Sequence, residues 1–157
     1  MSNGEEFSLV ESMGKMLGEE VVRVVAGINT APQVRLWGMQ QVVTCPGRRL
    51  EPGSNQRTGY KFTDSDPVSI RLSLLMVGRI ALTGVSGEVF TSIAQRLKAE
   101  SPFSNTLMVT HANGSSGYIP SDTAFDRISY EITTSHLKPG CAENAIVNGF
   151  LDMIRRN

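Results

Sequence analysis

The stretch Ile80–Pro120 constrains the fold most, because it sets two polar, glycine-rich loops directly after two apolar runs. Arg79-Ile-Ala-Leu-Thr83 reads as a buried strand emptying into the turn Gly84-Val-Ser-Gly-Glu88. Leu107-Met-Val-Thr110 reads as a second strand, emptying into Asn113-Gly-Ser-Ser-Gly-Tyr118. Between them Phe90, Ile93 and Leu97 share one stripe, which predicts a helix over 86–99. Rigid elements ending in polar loops are where α/β proteins hold functional side chains, so Glu88 and Tyr118 are the residues to explain. Taken singly, each also has a structural explanation. A carboxylate in a first helical turn is favoured by the macrodipole, and an aromatic closes a loop over a core.

The rest of the chain supplies layers around that stretch. Asn3 and Glu6 form a capping box, and Val10, Met13, Leu17, Val21, Val24 and Val25 recur at helical spacing up to Gly27. This predicts an amphipathic helix over 4–26 whose polar face, Glu11, Lys15, Glu19 and Arg23, is solvated. Val34–Thr44 alternates and is rich in β-branched residues, predicting a strand ended by Pro46-Gly47, with Trp37 in the core. Arg48–Asp66 reads as a long surface loop carrying Arg48, Arg49, Arg57 and Lys61. Val68–Val77 and Ile80–Thr83 form a hairpin across Gly78-Arg79. Downstream come a capped turn at Ser121–Asp126, a short strand at Ile128–Thr134, and a closing helix after Pro139-Gly140. That helix turns Ala142, Ile146, Val147, Phe150, Leu151 and Ile154 inward. The element order predicts an α/β (α+β) fold. A mixed β-sheet packs against an N-terminal, a central and a C-terminal helix, in a single domain over residues 1–157.

Composition removes several functions. Lysine plus arginine and aspartate plus glutamate both number 15, which gives no electrostatic reason to propose nucleic acid. No run reaches the length of a membrane span, and the acidic start lacks the regions of a signal peptide, so the expected location is cytoplasmic. Cys45 and Cys141 lack metal or redox spacing and read as free buried thiols. His111 and His136 belong to no local metal motif, and Ser115 and Ser116 lack the Gly-x-Ser-x-Gly setting of a hydrolase nucleophile. Asn113-Gly-Ser115 matches a glycosylation sequon, a pattern too common to carry weight alone.

Taken together, Ile80-Ala-Leu-Thr-Gly-Val-Ser-Gly-Glu-Val-Phe90, Ser101-Pro-Phe103, Asn113 with Gly117-Tyr-Ile-Pro120, the Tyr130-Glu131 pair and the Gly140-Cys-Ala-Glu143 helix start resemble the neutral/alkaline non-lysosomal ceramidase family. The opening segment Gly14-Lys-Met-Leu-Gly-Glu-Glu20 fits the same family's helix, so the resemblance covers most of the chain. It implies Glu88 and Tyr118 as zinc ligands, with Gly87, Asn113 and Gly117 around the pocket, and zinc-activated water attacking an amide carbonyl. A lipid amide substrate follows only by analogy with the family.

The family's two zinc-binding histidines belong to an earlier part of its catalytic domain that these residues do not match, so the chain is expected to supply half a site. Neither His111 nor His136 falls where the family has a ligand. Stable zinc sites use about four donors. The resulting expectation is a ceramidase-like fragment, not catalytic alone, that self-associates because half a domain leaves apolar sheet exposed. The alternatives are a zinc amidase split from a separate N-terminal subunit, and a small oligomeric binding domain.

Overall fold

The computed structural model describes residues 3–156, with side chains from Phe7 onward, and the chain divides after Val34 into two compact units. The first unit holds helix α1, Asn3–Ala26. Its polar face is solvated as expected, with Lys15 on Glu11 at 2.8 Å and Arg23 on Glu20 at 2.6 Å. The apolar stripe expected to face a core is exposed from Phe7 to Val25. The capping box at Asn3 and Glu6 lies outside the described side chains.

The second unit is built on β1 (Leu36–Leu50), β2 (Phe62–Val77), β3 (Ile80–Val85) and β5 (Asn105–Val109), ordered β1-β2-β3-β5. The first three are antiparallel, and β5 runs parallel to β3 after the crossover helix α2, Thr91–Glu100. This is the expected mixed sheet with helices on it. Alternation decides the faces. Leu72, Leu74, Met76, Ala81 and Val85 turn to one side and are buried beneath α2 and the closing helix α4, Ala142–Arg155. All six inward residues expected of that helix are buried. The register sets Gln40, Ser73 and Gly84 on the other side. There, with Gly38, Leu75, Leu82 and Val109, they line an open groove of about 550 Å³.

Several local expectations are corrected. Pro46-Gly47 does not end β1, which continues to Leu50, and β2 begins as early as Phe62. The long loop shrinks to residues 51–61. Arg48 is buried, its guanidinium 3.8 Å from the Phe62 ring centre and 4.7 Å from that of Phe125, while Nη2 donates to Ile132 O at 2.6 Å. The segment read as a strand at 128–134 is a helical turn, α3 (Tyr130–Thr134), because the Ser129 hydroxyl caps Ile132 N–H. The two cysteines are not free: Cys45 in β1 and Cys141 at the start of α4 form a disulfide. Among the described residues no helix is long and apolar enough to cross a membrane.

Candidate functional site

Parallel pairing brings β3 and β5 to the same end of the sheet, so the two polar loops emerge side by side. In open α/β sheets, this carboxyl end is where ligands bind. Beyond β3 the chain does not enter a helix at once. Glu88–Val89 form a two-residue strand, β4, parallel to β6 (Tyr118–Ile119), with Glu88 directly opposite Tyr118. Glu88 N–H donates to Gly117 O at 2.9 Å and Phe90 N–H to Ile119 O at 3.1 Å, which holds off helix formation until Thr91. Glu88 therefore stands on a strand, and the macrodipole explanation of its charge no longer applies.

Glycine makes this approach feasible. A Cβ on Gly87 would come within 2.7 Å of both Gly117 O and Ile119 Cδ1. A chain of serines beneath it fixes the second loop. Buried Ser86 Oγ accepts Arg71 N–H at 2.8 Å and meets Ser116 Oγ at 2.7 Å, and Ser116 Oγ donates to Ser69 O at 2.9 Å. With the single Ser116 hydroxyl proton given to Ser69 O, Ser86 is the donor to Ser116. Ser116 is thus a structural peg. His111 and Asn113 occupy the left-handed region at φ 53° and 61°, conformations uncommon outside glycine. Neighbours hold the first of these, because His111 N–H donates to Gly87 O at 3.1 Å and Ala112 N–H to Val85 O at 2.8 Å.

The consequence of that turn is a contact the sequence did not reveal: His111 Nε2 lies 3.3 Å from Glu88 Oε2. Both side chains are roughly half-exposed, so as an ion pair the contact is weak. Tyr118 completes the group. Its phenol is pushed above the ordinary tyrosine range, first by desolvation, then by the charge of Glu88, with Tyr130 and Glu131 adding to it. The Tyr130 ring packs edge-on against Tyr118 with centroids 5.8 Å apart. Glu131 accepts from Ser129 Oγ at 2.7 Å, which holds its carboxyl below the usual range. Glu88, Phe90, Thr91, Ser129 and Glu131 line a cleft of about 570 Å³.

The other expected residues separate. Gly87 and Gly117 underpin the Glu88–Tyr118 pair. Asn113 instead points to the open sheet face, where Nδ2 donates to Ser73 Oγ at 3.1 Å. His136 lines a different cleft, with Arg49, Ser115 and Ser116. Histidine 111 could have been found only by pairing β3 with β5, since 23 residues separate it from Glu88. No family model matches the chain, and neither a curated protein nor a solved structure does.

The donors are of types that zinc accepts, but with a single nitrogen among them they make a weak set. A carboxylate, an imidazole and a phenol converge, against the four ligands of a stable site. Among the described residues no three of His, Cys, Asp and Glu are grouped to hold a metal.

Proposed function

We propose that these residues form half of a zinc amide-hydrolase site of the ceramidase-like kind, in a protein that is not catalytic on its own and self-associates. The observation that supports this is the register of Glu88 against Tyr118, with His111 on the Glu88 carboxylate. Glu88 and Tyr118 would hold the ion from adjacent strands, and His111 stands close enough to serve as a third donor. Zinc bound there would polarise an amide carbonyl and lower the pKa of water. What the chain itself supplies is placement: a strand pair that sets a carboxylate and a phenol directly opposite one another. Ordinary catalytic zinc sites have three protein ligands, usually with nitrogen or sulfur among them, and one open position. A single imidazole and two oxygens make a weak set, which is the reason to propose no activity for the chain alone.

Self-association is supported by apolar sheet left open to solvent. Leu75, Leu107 and Val109 are 44%, 47% and 50% exposed on the face opposite the helices. Half-exposed Glu88 also leaves space for donors from a second chain. This favours, as a second reading, an amidase whose site is completed by a separate N-terminal subunit.

The test is calorimetric titration of metal-stripped protein with zinc, beside Glu88→Ala and Tyr118→Phe. Weak binding, lost in Glu88→Ala and reduced in Tyr118→Phe, is the expected result, together with no amidase activity. Submicromolar stoichiometric binding accompanied by turnover would replace the half-site with a complete one. Unchanged zinc uptake in both variants would remove these residues from any metal site.

A further inference from the structure

The second unit closes one stretch of its sheet edge with its own chain and leaves the next stretch open. Strand β1 is an edge strand. Over Pro46–Arg48 its outer side is covered, since Arg48 N–H donates to His136 O at 2.8 Å and Lys138 N–H to Pro46 O at 3.0 Å. Over Leu36–Thr44 no described strand pairs with it on that side. Those nine residues, Leu-Trp-Gly-Met-Gln-Gln-Val-Val-Thr, contain no charge and no proline. Natural sheets usually blunt an open edge with lysine, proline, a bulge or a cover. The one bulge does not help here. Cys45 faces Val68 and Gly47 faces Ser65, so the extra residue lies in β2 and β1 stays regular.

That regularity fixes which backbone groups are free. Pro46 and Arg48 turn their bonding groups away from β2, and alternate residues of a strand point the same way. Leu36, Gly38, Gln40 and Val42 therefore present unpaired N–H and C=O groups outward, and Thr44 turns the same way with its C=O 4.0 Å from Cys141 Sγ. A segment with this spacing can pair with itself about a two-fold axis through Gln40. Leu36 then meets Thr44 of the other copy, Gly38 meets Val42, and Gln40 meets Gln40, all as hydrogen-bonded pairs. On the helix side Trp37 falls opposite Val43, an aromatic against a β-branched residue, which is a favourable cross-strand pair. On the open side the small Gly38 accommodates Val42. The match is self-complementary and involves no charge on either strand.

We propose that two copies of this chain associate through antiparallel pairing of their β1 edges about Gln40, joining two four-stranded sheets into one of eight. This rests on the self-association proposed above, places its contact at the β1 edge rather than on the open sheet face, and adds the register. Isologous two-fold contact is the commonest symmetry of soluble oligomers, and edge addition draws its affinity from main-chain bonds.

The experiment uses Gln40→Lys and Gln40→Glu in the full chain, with mass measured by light scattering. Gln40 is exposed, so either change leaves the protomer's core intact, as circular dichroism would verify. Like charges directly opposite one another are destabilising, so each variant alone is expected to weaken dimerisation by at least about tenfold. An equimolar mixture of the two is expected to restore it. Slow amide exchange at Gln40 and Val42 in the wild type, whose N–H groups do not bond to β2, is the independent readout. A monomeric wild type with fast exchange at both amides would overturn self-association altogether. A dimer that survives both substitutions would overturn this surface while leaving self-association standing. Variants that fail to rescue one another would overturn the register about Gln40.

Discussion

Arg48 shows how a residue that looks solvated becomes part of the core. A guanidinium is weakly hydrated and stacks on aromatic faces, so two phenylalanines can bury it without a carboxylate partner. Phe62 and Phe125 do this from opposite parts of the chain, and Ile132 O takes one of its protons. Desolvation lowers its pKa, and Nε is left buried without a partner, so the site stabilises by stacking at some polar cost. Arg48→Ala is expected to lose about 2–3 kcal/mol of unfolding free energy, from one charged hydrogen bond and two stacked contacts. Arg48→Lys is expected to recover little of it, because an ammonium lacks the planar face. Urea denaturation of the three proteins checks both, and a full rescue by lysine would assign the effect to charge alone. The sequence hides this, since Arg48 and Phe62 both fall in the stretch that reads as a loop and Phe125 is far from them in the chain. Glu88 and Tyr118 could be singled out as candidates, because a glycine precedes each of them in a polar loop. His111 was not, because its position depends on a parallel strand pairing that leaves no local trace.

At the scale of elements, what the sequence made legible were segments with strong periodicity: β2 turning into β3 through Gly78-Arg79, and α4 with its six buried residues. The errors lie where a tertiary contact overrode a local signal. Pro46 sits at an outward-facing edge position, where the missing N–H costs the β1–β2 ladder nothing. Gly47 is needed there for closeness, since a Cβ would lie 1.9 Å from Asp66 O. The pair that reads as a strand terminator is in this case a place where the strand passes close to its neighbour. The same principle governs β4. Gly87→Ala would force a methyl against Gly117 O and Ile119, so β4 and β6 are expected to separate, at a cost of ~1–3 kcal/mol. The local readout is the environment of the Tyr118 ring, which packs edge-on against Tyr130. Near-ultraviolet circular dichroism should lose part of its tyrosine signal while the far-ultraviolet spectrum is kept. An unchanged near-ultraviolet spectrum would show that the register of Glu88 against Tyr118 does not depend on this glycine.

Across the whole second unit, the Cys45–Cys141 disulfide joins the middle of β1 to the start of α4 over a sequence separation of 96. Two cysteines so far apart, with no spacing motif, gave no reason to be read as a pair. Only the crossing of α4 over β1 puts them within bonding distance. A cross-link of that span acts on the unfolded chain, removing loop-closure entropy that grows slowly with the length of the loop. The folded side depends on it less, because Ile146, Val147, Phe150 and Met153 bury α4 on the sheet independently of the bond. The double variant Cys45→Ala, Cys141→Ala is therefore expected to keep the native spectrum and to lose ~2–4 kcal/mol in urea denaturation. Reductant should shift the wild type by the same amount and leave the double variant unmoved. If the reduced wild type unfolds at the same urea concentration as the oxidised protein, the cross-link contributes nothing and the packing of α4 carries the stability alone. Disulfides persist in oxidising compartments and are rare in the cytosol, so counting free thiols in protein taken directly from its own cell also tests the cytoplasmic expectation.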